Sequence, residues 1–410
     1  MSRPPARTPL RRDPLTVRLY AVFVVWGWFL YGFAPAIPLI ATEQGITRAQ
    51  AGLHGTAMAV GAVLAGTVSA GLARRLGRRA VAVGGLAVVC AGIGALVLGT
   101  TLAATLTACL VTAVGGNLVL AAAQPALLQH HGSAGPAAVT EANGIGAAVG
   151  LLAPLAVGAT VAAGWGWRPA VGLVVLLGSV TALLLARVGP EPAIDRVPAP
   201  VGPPVAPLGR AARIADATGG FGRTFWLFWS AMICGVAVEF ATTFWAADLV
   251  ATRTGAPAAV STAAVSALVL GMAASRFILG PLALRHAPES LLLASYGLAA
   301  FGFALLWLTT TPAIAVAGLV VAGLGYGAHY PMSVALALRA AGERADQAQA
   351  IALVGAGAAI GAAPLLLGAL SDAFGPHLGF LLVPALMAAG ATAVATARLS
   401  LRRDVVVVVG

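Results

Sequence analysis

A single carboxylate lies deep inside a long apolar stretch of this sequence. Glu239 occupies the middle of the run AVEFATTFW, residues 237–245. An ionisable group in lipid is costly, so it is a candidate functional group by default. Such a carboxyl could bind and release a proton near neutral pH or bind a cationic substrate, and Thr243 lies on the same helical face. The alternative is a protonated or hydrogen-bonded structural carboxyl between helices.

A second group of candidates combines a histidine with two tyrosines. Tyr326, His329 and Tyr330 directly precede Pro331. Spacings of three and four residues place the two tyrosines on one helical face and the histidine beside Tyr326. Histidine titrates in the physiological range, and aromatic faces bind cations or flat organic groups. Helix packing is the alternative.

Polar and aromatic residues in the N-terminal part could also contact a substrate. Asn117 and Gln124 are seven residues apart and share a face, where they could bind a substrate or hold neighbouring helices together. Trp26 and Tyr31 could line the same cavity or pack between helices. His54 could relay protons or be a packed ring.

The composition excludes most classes of soluble protein. Of 410 residues, 60 % are hydrophobic and 9 % are charged, against about 25 % charged in an average soluble domain. Too few polar side chains are available to coat a soluble surface, and the chain is too apolar for intrinsic disorder. We therefore predict an integral membrane protein.

Apolar runs of membrane-spanning length recur along the chain. We predict twelve helices in two sets of six, an all-α membrane fold. Their approximate ranges are 19–41, 51–72, 80–99, 102–128, 138–163, 168–187, 224–250, 258–282, 290–309, 312–338, 348–370 and 377–398.

These runs give a two-part organisation. The N-terminal half is 19–187 and the C-terminal half is 223–398, with a connector at 188–222. The connector contains seven prolines and is predicted to be extended and mobile. Residues 1–18 are predicted to be a cytoplasmic N-terminal segment, and residues 399–410 a cytoplasmic tail.

Arginine placement predicts the orientation. The net charge is +11, and every basic residue is Arg. In a soluble domain such a charge would indicate binding to nucleic acid. Here the arginines lie in short loops, where they orient membrane helices. With the N-terminus in the cytoplasm, 21 of the 24 arginines lie on the cytoplasmic side. Arg48, near the opposite surface, is an exception. Asp248 lies close enough to that surface to be solvated, and Arg276 is expected to pair with a cytoplasmic acid or to reach the interface.

The loop after the second predicted span carries a specific motif. Residues 71–79 read GLARRLGRR. This resembles the signature loop of the major facilitator superfamily, G-x-L-A-D-R-x-G-R-R, and Arg75, Gly77 and Arg78 fit the pattern. Arg74 occupies the position of the family's aspartate, and Ala70 that of its first glycine. Weaker matches are residues 280–285, 368–375 and the pair 167–168.

The resemblance implies two six-helix repeats that transport by alternating access. In that family the loop aspartate is thought to hold the halves together near a helix N-terminus, where the helix dipole favours an anion. Arg74 cannot do so, and we predict a reversed latch from Arg74 to Glu343 or Asp346. Simple positive-inside charge is the alternative. Glu141, near the start of the fifth span, could gate the inner mouth or cap its helix.

Several other activities lack their motifs. We find no Walker loop, no cluster with structural-metal spacing and no G-x-S-x-G elbow. We expect a non-enzymatic transporter with no cofactor or metal, a monomer in the plasma membrane with both termini cytoplasmic, and no nucleic acid partner.

Its expected cargo is a small organic molecule. The pattern of Gly146, Gly150, Pro154 and Gly158 loosely resembles the fifth helix of proton-coupled drug exporters, which favours proton-coupled efflux. Uptake of a small nutrient or organic anion is the main alternative, and a non-transporting membrane receptor is a third.

Overall fold

The computed structural model describes residues 11–195, 220–283, 285–341 and 345–409. Eleven helices in these ranges are long and apolar enough to cross a membrane. One of them, Arg48–Leu98, has 51 residues but has non-helical dihedral angles at Gly77, so it comprises two consecutive spans. The twelve-helix prediction is therefore confirmed.

We label the long helices α1 to α12 in chain order. They are α1 (Pro14–Phe33), α2 (48–76), α3 (78–98), α4 (Leu102–His131), α5 (Gly135–Gly150), α6 (Arg168–Ala186), α7 (Arg223–Thr254), α8 (Ala258–Ala283), α9 (Pro288–Leu308), α10 (Pro312–Ala341), α11 (Ala345–Phe374) and α12 (Leu382–Val409). Shorter helices are Ile37–Gln44 after α1, Leu152–Ala162 after α5, Pro192–Asp195 after α6 and Pro376–Gly379 before α12.

Local sequence defines where α1 and α4 begin. The Asp13 carboxylate accepts the Thr16 backbone N–H (2.8 Å), and Pro14 follows at the first helical position, where no N–H is required. The Thr101 hydroxyl accepts the Ala104 N–H at the start of α4 in the same way. These caps satisfy backbone donors that have no partner inside the helix.

The chain divides into two compact units. Unit 1 comprises Met1–Ala36 and Ala57–Pro200, and unit 2 comprises Ile37–Thr56 and Val201–Gly410. One boundary falls at the 3-10 turn Ala34–Ala36, directly after α1. The end of the first span and the start of the second therefore cluster with α7–α12.

Glycines let helices approach closely within each unit. In unit 1, a Cβ added to Gly27 of α1 would lie 2.3 Å from the Gly146 carbonyl oxygen of α5. In unit 2, a Cβ added to Gly271 of α8 would lie 2.1 Å from the Val320 oxygen of α10. Neither distance is physically possible, so any side chain at these positions would push the helices apart. Small residues serve this purpose in membrane bundles, where lipid offers no hydrophobic drive for helix association.

The start of the connector is folded against the signature loop. Arg78 donates to the Gln129 side chain (2.5 Å) and to the Ala193 carbonyl (2.8 Å). Arg79 binds both carboxylate oxygens of Asp195 (2.7 and 2.9 Å). This guanidinium holds the pKa of the Asp195 carboxyl below its usual range.

These contacts correct the prediction of an extended connector at its first residues. Pro192–Asp195 is a short helix in which Ile194 is buried, and Arg79 also donates to the carbonyls of Val188 and Gly189. Residues 196–219 of the predicted connector lie outside the described ranges.

The backbone at Gly77 gives a stability prediction. Its φ of 81° and ψ of 156° are strained for any residue with a Cβ, which would also lie 3.1 Å from the Asp195 carbonyl oxygen. We expect Gly77→Ala to destabilise the protein by about 1–3 kcal/mol, measured as a lower melting temperature.

Gly71→Ala is the matched control for Gly77→Ala. Gly71 lies in the helical part of the same motif, and a Cβ added there would have no neighbouring atom within 4 Å. Alanine favours a helix over glycine by roughly 0.5–1 kcal/mol, so this variant should melt no lower than wild type. Equal melting temperatures for wild type and Gly77→Ala would show that the break does not require glycine.

Candidate functional site

Glu239 lies halfway along α7. It is 16 residues from Arg223 and 15 from Thr254, or about 22–24 Å from either end of the helix. Its side chain is partly exposed, and no hydrogen bond or ion pair reaches its carboxylate within the described residues. The carboxylate is therefore free to bind a proton or a charged ligand.

Arg276 is the basic residue of α8. Its side chain is exposed, and it lies seven residues before the end of α8 at Ala283. The expected partner of Arg276, a cytoplasmic acid or the membrane interface, stays a prediction.

Two threonines of α7 have different hydrogen-bond partners. The Thr242 hydroxyl lies 3.2 Å from the hydroxyl of Tyr326 on α10, and both residues are buried. The Thr243 hydroxyl donates to the Glu239 backbone carbonyl (2.7 Å), one turn earlier in α7. The predicted candidate Thr243 thus lies one turn from Glu239 on α7. Its hydroxyl group and that of the other candidate, Tyr326, both form hydrogen bonds inside unit 2.

His329 is fully buried between helices of unit 2. Its ring stacks on Tyr296 of α9 with centroids 4.0 Å apart, and a Cβ added to Gly235 of α7 would lie 2.6 Å from the His329 Cβ. Neither ring nitrogen has a hydrogen-bond partner within the described residues. Such buried unpaired polar atoms are uncommon and require an explanation.

The surroundings of His329 are otherwise well packed. The Tyr296 hydroxyl donates to the Ala231 carbonyl of α7 (2.8 Å). The hydroxyl of Ser333, one turn after His329, is also buried without a partner in the described chain. Tyr330, the third predicted member of this group, is partly exposed.

The predicted candidates of unit 1 lie on α1 and α4. Trp26 packs over Gly116, where an added Cβ would lie 2.0 Å from the indole ring. The adjacent Asn117 is partly exposed, and its amide donates to the Ala113 carbonyl (2.8 Å). Gln124 is also partly exposed. The side chains of Asn117 and Gln124 are therefore accessible to a ligand, whereas the indole of Trp26 packs between α1 and α4.

Three further candidates have defined contacts. Tyr31 packs against Gly150 of α5. The His54 Nδ1–H donates a hydrogen bond to the Ala51 carbonyl (2.7 Å), and the ring is fully buried. Glu141 forms a two-point ion pair with Arg12 (2.6 and 3.0 Å). Because Glu141 lies in the second turn of α5, it ties the start of α1 to α5 rather than capping its own helix.

Sequence analysis missed a polar cluster next to this ion pair. The Asp13 carboxylate lies 2.5 Å from His130 Nε2, and the Thr16 hydroxyl lies 2.8 Å from His131 Nε2. Partial burial raises the pKa of Asp13, but hydrogen bonds from the Thr16 N–H, His130 and the Thr16 hydroxyl lower it to about 2. The cluster fastens the start of α1 to the end of α4.

The predicted gating residues are only partly described. Arg74 and Arg75 are exposed at the end of α2, whereas Arg78 is buried. Glu343 lies outside the described residues, and so does the side chain of Asp346. The reversed latch from Arg74 stays a prediction.

Twelve apolar helices in two units, with a few polar groups midway along them, define a polytopic membrane protein. The family model of the Major Facilitator Superfamily matches residues 19–345 and 227–406. The chain belongs to this superfamily, as the signature loop indicated, and it is a membrane transporter of that fold.

Solved structures of transporters have the same fold. A mutant of the nucleoside transporter NupG superposes with a TM-score of 0.75 at 15 % identity, covering 94 % of this chain and 98 % of NupG. A bacterial homologue of the human lysosomal transporter Spinster, inward-facing and unoccupied, gives 0.69 at 16 % identity, covering 95 % and 94 %. The comparison with curated proteins finds no match. At these identities the likeness shows the fold alone.

The unpaired nitrogens of His329 lead to a prediction about stability. His329→Phe keeps a ring that can stack on Tyr296 and removes two buried polar atoms without partners. We expect this variant to be no less stable than wild type, with a gain of about 1 kcal/mol.

Tyr296→Phe is the comparison for His329→Phe in a thermal melt of purified protein. It leaves the Ala231 carbonyl without the tyrosine donor, so we expect a loss of about 1 kcal/mol. A clear loss of stability in His329→Phe would mean that its nitrogens are paired in the working protein.

Proposed function

We propose that this protein is a proton-coupled secondary transporter that exports a small organic molecule from the cytoplasm by alternating access. The observation that carries the proposal is Glu239, an unpaired and partly exposed carboxylate halfway along α7. Ionisable groups at this depth are expensive and mark ion or substrate pathways. The superfamily membership supports transport but not a particular cargo.

The position of Glu239 supports a coupling role. It lies midway along a membrane-spanning helix, and its carboxylate has no hydrogen bond or ion pair within the described residues, so a proton or a charged ligand can bind there. Protonation changes the charge at this depth from negative to neutral, and such a change can couple proton binding to substrate binding or release.

The choice of export rests on α5. Gly146 and Gly150 hold α5 directly against α1 at Phe23 and Tyr31, and Pro154 lies in the short helix that follows. The pattern resembles that of proton-coupled exporters. The proposed location is the plasma membrane, and the arginine distribution supports cytoplasmic termini.

A second candidate function is proton-linked movement of an organic anion. The sequence argues against an anion because the predicted cavity has one buried acid and no buried arginine at mid-depth. Arg276 nevertheless lies within the membrane-spanning helix α8, and its exposed guanidinium can bind an anionic group. Uptake of an acidic nutrient is therefore the alternative.

Export is tested with lipophilic dyes and antibiotics in efflux-deficient cells. We expect wild type to lower their accumulation and Glu239→Gln at matched expression to lose this effect, because an amide cannot bind and release a proton at physiological pH. Glu289→Gln, at the first turn of α9, is the control and should export normally.

The outcomes separate the two functions. Equal export by wild type and Glu239→Gln would remove Glu239 from the coupling mechanism. Unchanged accumulation of the whole panel in wild-type cells would exclude broad export. Uptake of radiolabelled organic acids, measured with wild type and Arg276→Gln, would then test the anion carrier.

A further inference from the structure

A polar cluster joins the start of α1 to the end of α4. The Asp13 carboxylate lies 2.5 Å from His130 Nε2, and the Thr16 hydroxyl lies 2.8 Å from His131 Nε2. The same hydroxyl donates to the other oxygen of Asp13 at 2.7 Å. All four residues belong to unit 1, so the cluster is complete within one compact unit. The proposed transport chemistry at Glu239 does not involve them.

These contacts determine which atoms of the cluster carry protons. Partial burial raises the pKa of the Asp13 carboxyl, but its hydrogen bonds lower it to about 2, so it is ionised at physiological pH. An ionised carboxylate only accepts hydrogen bonds, so His130 Nε2 carries a proton. The Thr16 hydroxyl gives its one proton to Asp13, so His131 Nε2 also donates. In each ring Nδ1 is therefore the atom that binds a second proton.

The cluster lies at the ends of its helices, where water can reach it. Helix α4 has 30 residues, a length of about 45 Å, against a hydrocarbon core of about 30 Å. His130 and His131 are its last two residues, and Asp13 directly precedes α1. The side chains of His130 and Asp13 are 20 % and 36 % exposed, so protons from solution have access to them.

A second proton on His130 would turn its hydrogen bond with Asp13 into an ion pair. Histidine is the side chain that changes charge between about pH 5 and 8. The positive ring would then attract the carboxylate directly, which a neutral ring does not. His131 contacts a hydroxyl instead of a carboxylate, and its ring centroid lies 4.8 Å from that of His130, where two positive charges repel. The ion pair therefore forms at His130.

The other titratable groups around the cluster keep their charge in this pH range. Arg12 pairs with Glu141, and Arg79 pairs with Asp195. Tyrosines, arginines and ordinary carboxyl groups do not titrate between about pH 5 and 8. In the part of this region that the structure describes, the two histidines are the groups that do. The surrounding groups are Arg11, Arg12, Arg18 and Tyr20 at the start of α1, Glu141 on α5, Arg78 and Arg79 at the start of α3, and Asp195 in the short helix after α6.

We propose that His130 is a pH sensor that tightens the attachment of α1 to α4 when the solution at these helix ends becomes more acidic. Asp13 is its permanently charged partner. In the proposed orientation the sensor faces the cytoplasm. The same two helices meet at Trp26 and Gly116, and α4 carries Asn117 and Gln124. Acidification would thus stabilise the arrangement of the helices that carry the polar candidates of unit 1.

Hydrogen–deuterium exchange of the full-length protein in nanodiscs tests the sensor. Peptides from the first turns of α1 are compared at about pH 5 and about pH 8, the two ends of the histidine range, after correction for the intrinsic pH dependence of exchange. We expect these peptides of the wild type to be about two- to fivefold better protected at the lower pH, which is the effect of a partly exposed ion pair.

Three variants separate the sensor from its surroundings. His130→Gln keeps a donor for Asp13 but cannot become charged, so protection should be equal at both pH values. Asp13→Asn keeps a helix cap and removes the partner's charge, and it should have the same effect. His131→Gln keeps a donor for Thr16 and is the matched control, in which the rise in protection should persist. Peptides of α9, which contains no histidine, report general changes and should behave alike in all variants.

Two results would overturn the sensor. One is equal protection of the wild type at both pH values, and the other is a rise in protection that persists in His130→Gln. If Asp13→Asn frays α1 at both pH values, the two histidine variants decide. The measurement uses neither a cargo nor Glu239. Failed export would therefore leave the sensor standing, and an absent pH response would leave the proposed export standing.

Discussion

The absence of water inside a lipid bilayer is the constraint on which this structure depends. Every backbone polar group must find its partner within the protein, so the chain forms long helices whose ends are capped. Because lipid supplies no hydrophobic drive between helices, close approach at glycines such as Gly27 and Gly271 holds them together. Placing an unpaired carboxylate such as Glu239 inside a bilayer costs free energy. Because no contact of this carboxylate stabilises the fold in return, the residue is a candidate for function.

The arginines form tertiary contacts in addition to setting the membrane orientation. Counted along the sequence they predict only which side of the membrane each loop occupies. In the structure Arg79 fastens the start of the connector, Arg12 ties α1 to α5, and Arg48 binds α7 and α11 together. Each contact joins residues more than 100 positions apart. Arginine suits these places because its planar fork binds carboxylates and several carbonyls at once.

The fold could be predicted from the sequence because spanning helices are a local property of about 20 apolar residues. Glu239 could be found for the same reason, as an acid in such a run. The Asp13–His130 contact and the ion pair of Arg48 with Asp248 could not, because they depend on which helices meet. The lack of hydrogen-bond partners at the His329 nitrogens could not be predicted either. A sequence indicates that a residue is buried, but it does not show which atoms face its side chain.

The candidate residues of the two units differ in their chemistry. The candidates on α1 and α4 are amides and aromatic rings, which bind by hydrogen bonds and stacking. The candidate on α7 is the carboxyl group of Glu239, whose charge changes when a proton binds. The tryptophans diverge as well, since Trp26 packs on Gly116 of α4 whereas Trp229 packs on Gly355 of α11. A duplicated scaffold can therefore carry different side-chain chemistry in its two units.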